Sequence, residues 1–119
     1  MDRQRFEGLV EAALDQLPAF FQSKLQNLAV IVEDAPPPDV VDDMGDDQML
    51  GLYQGIPLPE RSVWDDYPYP DVISIYQRNI EAITRTDREV IEEVRITVMH
   101  EIGHYFGMDE DDLAALGLE

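Results

Sequence analysis

The chain has no cysteine, only two histidines in 119 residues, and few cations: 8 Lys and Arg against 26 Asp and Glu. Without cysteine there is no disulfide framework and no thiolate zinc site. A formal net charge of −18 repels phosphate backbones, which argues against nucleic acid as a partner and leaves basic peptides or cations as the ligands it would attract. Most of these carboxylates simply keep a small protein soluble. No apolar run approaches the roughly 20 residues that a membrane span requires. The opening Met1-Asp2-Arg3-Gln4-Arg5 lacks the apolar stretch of a signal peptide. A cytoplasmic, non-membrane protein is therefore expected, with residues 1–119 forming one domain around one modest core.

Phe6, Leu9, Val10, Ala13, Leu14 and Leu17 recur at helical spacing and predict an amphipathic helix from Arg3 to Leu17, stopped by Pro18. Phe20, Phe21 and Leu25 suggest a further short helical stretch. The β-branched run Leu28–Val32 reads as a buried strand. Residues 34–49 hold Pro36, Pro37 and Pro38 followed by Asp39, Asp42, Asp43, Asp46 and Asp47, which predicts an exposed acidic loop. Leu50–Gly55 looks like a short strand whose glycines mark a bulge or a close backbone approach. Pro57–Pro70 is irregular, with Trp64, Tyr67 and Tyr69 expected to cover the core; Val72–Tyr76 is a strand and Asn79–Ile83 a helix.

The best-defined element follows. Thr86 and Glu89 form a capping box, and Ile91, Val94, Val98, Ile102, Tyr105 and Phe106 continue an apolar stripe until Gly107 supplies a left-handed stop. This helix, Asp87–Phe106, carries both histidines, His100 and His104, with Glu101 after the first. Four residues apart on a helix, the imidazoles share a face and can converge on one Zn²⁺, while Glu101 can serve as general base toward a metal-activated water. Shuffling the composition would produce this pattern in on the order of one chain in a thousand. A catalytic zinc usually takes three protein ligands, and with no third histidine a carboxylate must complete the set. Glu110 stands where a chain reversing at Gly107 can return to the metal. Asp109 and Asp111 remain alternatives, and Asp109 also reads as the N-cap of a short helix reaching Leu116, with Met108 and Leu113 as a hydrophobic staple.

The segment from His100 to Glu110 reads His-Glu-x-x-His-x-x-Gly-x-x-Glu, which resembles the extended zinc motif of the zincin metallopeptidases. Length, acidity and the short tail are similar to the small bacterial zincin-like metallopeptidases, over roughly Val30–Leu116. The resemblance implies an α+β fold: a short, twisted mixed sheet packed on the active-site helix, with an N-terminal helix and a short C-terminal one. It implies one Zn²⁺ per chain held by His100, His104 and Glu110, with Glu101 catalytic. It also implies an edge strand beside the cleft that pairs with a peptide or protein substrate by strand addition. Val72–Tyr76 is the candidate strand, with Val72, Ser74 and Tyr76 as candidate substrate-binding residues. Only nine residues follow Glu110, so the methionine-containing turn of the metzincin branch has no counterpart. Tyr53, Tyr76 and Tyr105 are candidates to stabilise an oxyanion. Two functions compete: a zinc peptidase that hydrolyses peptide bonds, and a non-catalytic zinc-stabilised module that binds peptides. Glu101 favours the first, because a structural site needs no base.

Overall fold

A computed structural model describes residues 1–55 and 71–115. The elements run α1 (Arg3–Asp15), α2 (Ala19–Lys24), β1 (Leu28–Glu33), α3 (Pro38–Met44), β2 (Gly51–Gln54), β3 (Asp71–Tyr76), α4 (Gln77–Ile83), α5 (Asp87–Tyr105) and α6 (Glu110–Ala115). The architecture is α+β, a small mixed sheet with helices packed on it. The expected aromatic cover from Trp64, Tyr67 and Tyr69 lies outside the described residues. No helix among those described is long and apolar enough to cross a membrane.

The strand order is β1-β3-β2, with β1 parallel and β2 antiparallel to β3. Pairing fixes which side chains share a face. Ile73 and Ile75 of β3, both fully buried, point with Leu28 of β1 into a core closed by Phe6, Val10 and Ala13 of α1 and Val94, Val98 and Ile102 of α5. Burying each of these larger aliphatic side chains contributes roughly 1.5–3 kcal/mol before the entropy of ordering is counted. Helix α1 starts on Asp2, whose carboxylate accepts the Arg5 amide, and Arg3 ties it to the sheet by donating to the Val32 carbonyl at 2.9 Å and to Asp34.

Three expectations need correcting. Val72–Tyr76 is not an edge: β3 is the middle strand, hydrogen-bonded on both sides, so its backbone has no free row to offer a substrate. Among the described residues the edge beside α5 is β2. Second, Leu28–Val32 is only half buried, with Ile31 41% exposed; among the described residues it is itself a sheet edge, whose outward side chains alternate with the core-facing ones. Third, the acidic stretch at 34–49 is not all loop. Proline is tolerated in the first turn of a helix, where its missing N–H has no partner to lose. Thus Pro38 opens α3, Val40 buries itself beneath it, and Gly45 at φ 69° closes it by donating to the Val41 carbonyl at 2.8 Å. Its aspartates remain exposed as expected.

Candidate metal centre

Helix α5 begins at Thr86, whose hydroxyl oxygen accepts the Glu89 amide at 3.1 Å, and ends in a reversal at Gly107 with φ 82°. There the Met108 amide donates to the Gly103 carbonyl at 3.0 Å and the Gly107 amide to the His104 carbonyl at 2.9 Å, the paired bonds of a Schellman motif. The chain then turns straight into α6. Asp109 caps it: its carboxylate accepts the Asp112 amide at 2.9 Å while the Asp112 carboxylate accepts the Asp109 amide at 3.1 Å. Leu113, fully buried, seats α6 against α5 directly over Gly103, where a Cβ would overlap the Leu113 Cδ2. The glycine inside the motif therefore admits the C-terminal helix.

This docking brings Glu110 back to the histidines. His100 Nε2 and His104 Nε2 are 3.1 Å apart, and Glu110 Oε1 lies 3.3 Å from the first and 3.1 Å from the second. Three donors at roughly 2.0–2.1 Å from a tetrahedral zinc stand roughly 3.3 Å from one another, so this triangle is the right size for one face of such a site. The chemistry of the donors agrees. His104 Nδ1 is 3.1 Å from the Met108 carbonyl, which needs a proton on Nδ1 and leaves the Nε2 lone pair aimed at the cluster. Two imidazole nitrogens and a carboxylate oxygen that converge at these distances are a donor set able to hold one cation. The residues present fit zinc. Asp109 is committed to its cap, and Asp111 is exposed in the first turn of α6.

Glu101 sits beside this triangle but is held differently. It is 6% exposed, and its Oε1 accepts the backbone amide of Tyr53 at 2.7 Å. Its Oε2 is 3.8 Å from His100 Nε2. Burial pushes its pKa above the ordinary carboxylate value, opposed by the Tyr53 hydrogen bond and by the two histidines. The amide that orients it is backbone, invisible to any reading of side-chain patterns.

A cleft of about 680 Å³ opens over the four residues, walled by β2, the loop before it and one stripe of α5 that includes Glu93, Ile96, Thr97 and His100. The helical spacing of that stripe is legible in the sequence, since these positions precede His104 by whole turns, but nothing there marks it as a cleft wall. Val72, Ser74 and Tyr76 are not brought to the site. Gly51, opposite Ile75, approaches Thr97 of α5, so Ile73 and Ile75 face the helix and the alternate residues face away from it. Of the expected oxyanion donors, Tyr53 gives its hydroxyl to Asp71 at 2.9 Å and Tyr76 is fully buried on the far face. Tyr105 is buried with its ring edge-on to Tyr53 and Phe106.

A comparison with curated proteins finds no match. Among solved structures the chain is similar to a conserved hypothetical protein from Thermo thermophilus, at 21% identity and a TM-score of 0.58, covering 99% of this chain and 100% of that one. That likeness concerns the fold. A family model described as zincin-like metallopeptidase matches residues 25–118, a span that includes the sheet and the whole His100–Glu110 motif. The chain belongs to the zincin-like metallopeptidase family.

Proposed function

We propose that the protein is a zinc-dependent peptidase that hydrolyses a peptide bond across the cleft, with His100, His104 and Glu110 holding one zinc ion and Glu101 acting as general base. The observation that carries this reading is the pairing of a ligand-sized triangle, 3.1–3.3 Å on each side, with a buried carboxylate beside it that takes no part in the triangle. A structural zinc site has no use for that extra acid; a hydrolytic one requires it. Zinc bound there would lower the pKa of a water and polarise the scissile carbonyl. Glu101, pinned through Oε1 by the Tyr53 amide, keeps Oε2 available to accept the water's proton and later deliver it to the leaving amine. Its raised pKa suits a group that must both take and give a proton near neutrality.

Substrate would lie along β2. The Tyr76 amide donates to the Leu50 carbonyl, so the alternation of an antiparallel pair turns the backbone groups of Gly51 and Tyr53 outward. The Tyr53 amide is taken by Glu101, and the Gly51 amide and carbonyl, unpaired among the described residues, are the groups that would pair with an extended peptide. The deciding experiment is digestion of a peptide library by zinc-loaded protein, parent against Glu101→Gln. Metal-dependent cleavage by the parent and its loss in the variant, with zinc retained, are expected. Equal cleavage by both would remove the base and the mechanism with it.

A further inference from the structure

Glu93 lies seven residues before His100 on the same stripe of α5, about 10 Å along the axis at 1.5 Å per residue. The other carboxylates of this helix that have been described are engaged. Asp87 pairs with Arg5, Glu89 with the Thr86 hydroxyl, Glu92 with Arg95, and Glu101 with the Tyr53 amide. Glu93 is partly buried in the cleft wall and has no hydrogen bond or ion pair among the described residues. Met44, Met49 and Ile96 line the same cleft, as does Asp46, which is exposed. The segment that carries Asp46 and Met49 is tied down: the Asn79 side-chain amide donates to the carbonyls of Asp47 at 3.0 Å and Met49 at 2.8 Å.

We propose that this end of the cleft is a recognition pocket for a lysine or arginine side chain of the substrate, with Glu93 as the specificity-determining carboxylate. The proposal rests on the peptidase reading of the same cleft and deepens it. A long cationic side chain has an apolar stem and a charged head, and the cleft lining offers a complement to each: methionine and isoleucine side chains for the stem and a carboxylate for the head. Methionines mould themselves to stems of different shape. A carboxylate partly withdrawn from water, with no partner among the described residues, gains most from a cation that brings charge-assisted hydrogen bonds. An acidic substrate side chain would meet Glu93 and Asp46 and be repelled. The net charge of −18 adds a long-range pull on cationic peptides that weakens with salt.

Binding and cleavage test this separately. Zinc-loaded Glu101→Gln protein is titrated with blocked alanine hexapeptides carrying one arginine, citrulline, lysine or glutamate at each position in turn. At one position the arginine peptide should bind about tenfold tighter than its citrulline isostere, the worth of one charge-assisted contact. Adding Glu93→Gln should erase that preference, and Glu93→Lys should turn it toward glutamate. Equal binding of arginine and citrulline peptides at every position, or a preference that survives in both Glu93 variants, overturns the pocket. The same peptides are then offered to the zinc-loaded parent enzyme. Cleavage without a basic preference would sink the pocket and leave the peptidase standing. Absence of cleavage alongside a Glu93-dependent binding preference would sink the peptidase and leave the pocket.

Discussion

The backbone amide of Tyr53 donates to Glu101 Oε1 at 2.7 Å, so the edge strand and the acid beside the metal triangle are fastened together. One strand thus serves two purposes: its outward backbone faces the cleft, and one of its amides sets the orientation of the proposed base. The three proposed metal donors hang instead on α5 and α6. Metal holding and base positioning therefore depend on different packing contacts and should respond to different substitutions.

The metal donors should fail first on direct substitution. His100→Ala and His104→Ala are expected to abolish stoichiometric zinc binding, and Glu110→Ala to weaken it by on the order of 100-fold, at or above the loss typical of outer-shell partners. Asp109→Ala removes only the cap of α6; it should cost about 1 kcal/mol in stability and leave zinc stoichiometry unchanged. Chelator competition on all four variants checks this. Tight binding that survives Glu110→Ala but is lost in Asp109→Ala would reassign the third ligand.

Gly103→Ala probes the seating of α6. Alanine is better than glycine in a helix by about 1 kcal/mol, yet its methyl would overlap Leu113 and push α6 outward, with Glu110 on its first turn. Overpacking of this kind costs roughly 1–3 kcal/mol. We expect lower stability in urea and weaker zinc binding in Gly103→Ala, and partial recovery of zinc affinity when Leu113→Ala is added. If Gly103→Ala binds zinc as the parent does, α6 is not what places the third donor.

Much of this was legible in the sequence because the signals were local. Helix α5 announces itself through a cap, a stripe and a glycine stop, and the zinc motif runs from its last turns through the reversal to the first residue of α6. Asp109 and Glu110 stand side by side in an acidic run, and only the reciprocal Asp109–Asp112 cap separates their roles. What was not legible depends on strand order. Val72–Tyr76 has the composition of any β-strand, and nothing in it records that β1 and β2 both pair with it. Helix α3 was hidden behind prolines that read as breakers but act as a helix start.

The buried acid makes a prediction about pH. Desolvation raises the Glu101 pKa in the folded protein above its unfolded value. Between those two values the folded state holds a proton that the unfolded state has released, so unfolding free energy falls as pH rises through that window. The stabilisation is complete below the unfolded pKa and is lost once pH passes the folded one. Metal-free Glu101→Gln retains an acceptor for the Tyr53 amide and has no such proton. Its stability relative to the parent should therefore grow from acid toward neutral pH, read as the difference in urea midpoints across a pH series. A constant difference would mean that burial does not disfavour the charged form of Glu101.

Gly51 should separate the two halves of the site. A Cβ there would stand 2.7 Å from Thr97 Cγ2 and 2.8 Å from the Ser74 carbonyl oxygen. Threonine could turn its methyl aside, but the carbonyl belongs to the middle strand and can yield only if β2 moves. Gly51→Ala is thus expected to lift β2 from α5, loosen the Tyr53–Glu101 hydrogen bond and lower stability by roughly 1–3 kcal/mol. None of the three proposed zinc donors rides on β2, so zinc affinity should stay within a few-fold of the parent, where the outer-partner losses of about 10–100-fold would mark real damage to the centre. Hydrolysis should drop through kcat, since the base is misplaced, and KM should rise with the disturbed edge. Zinc affinity falling together with activity would tie β2 to the metal site itself, and the division of labour between strand and helices would not hold.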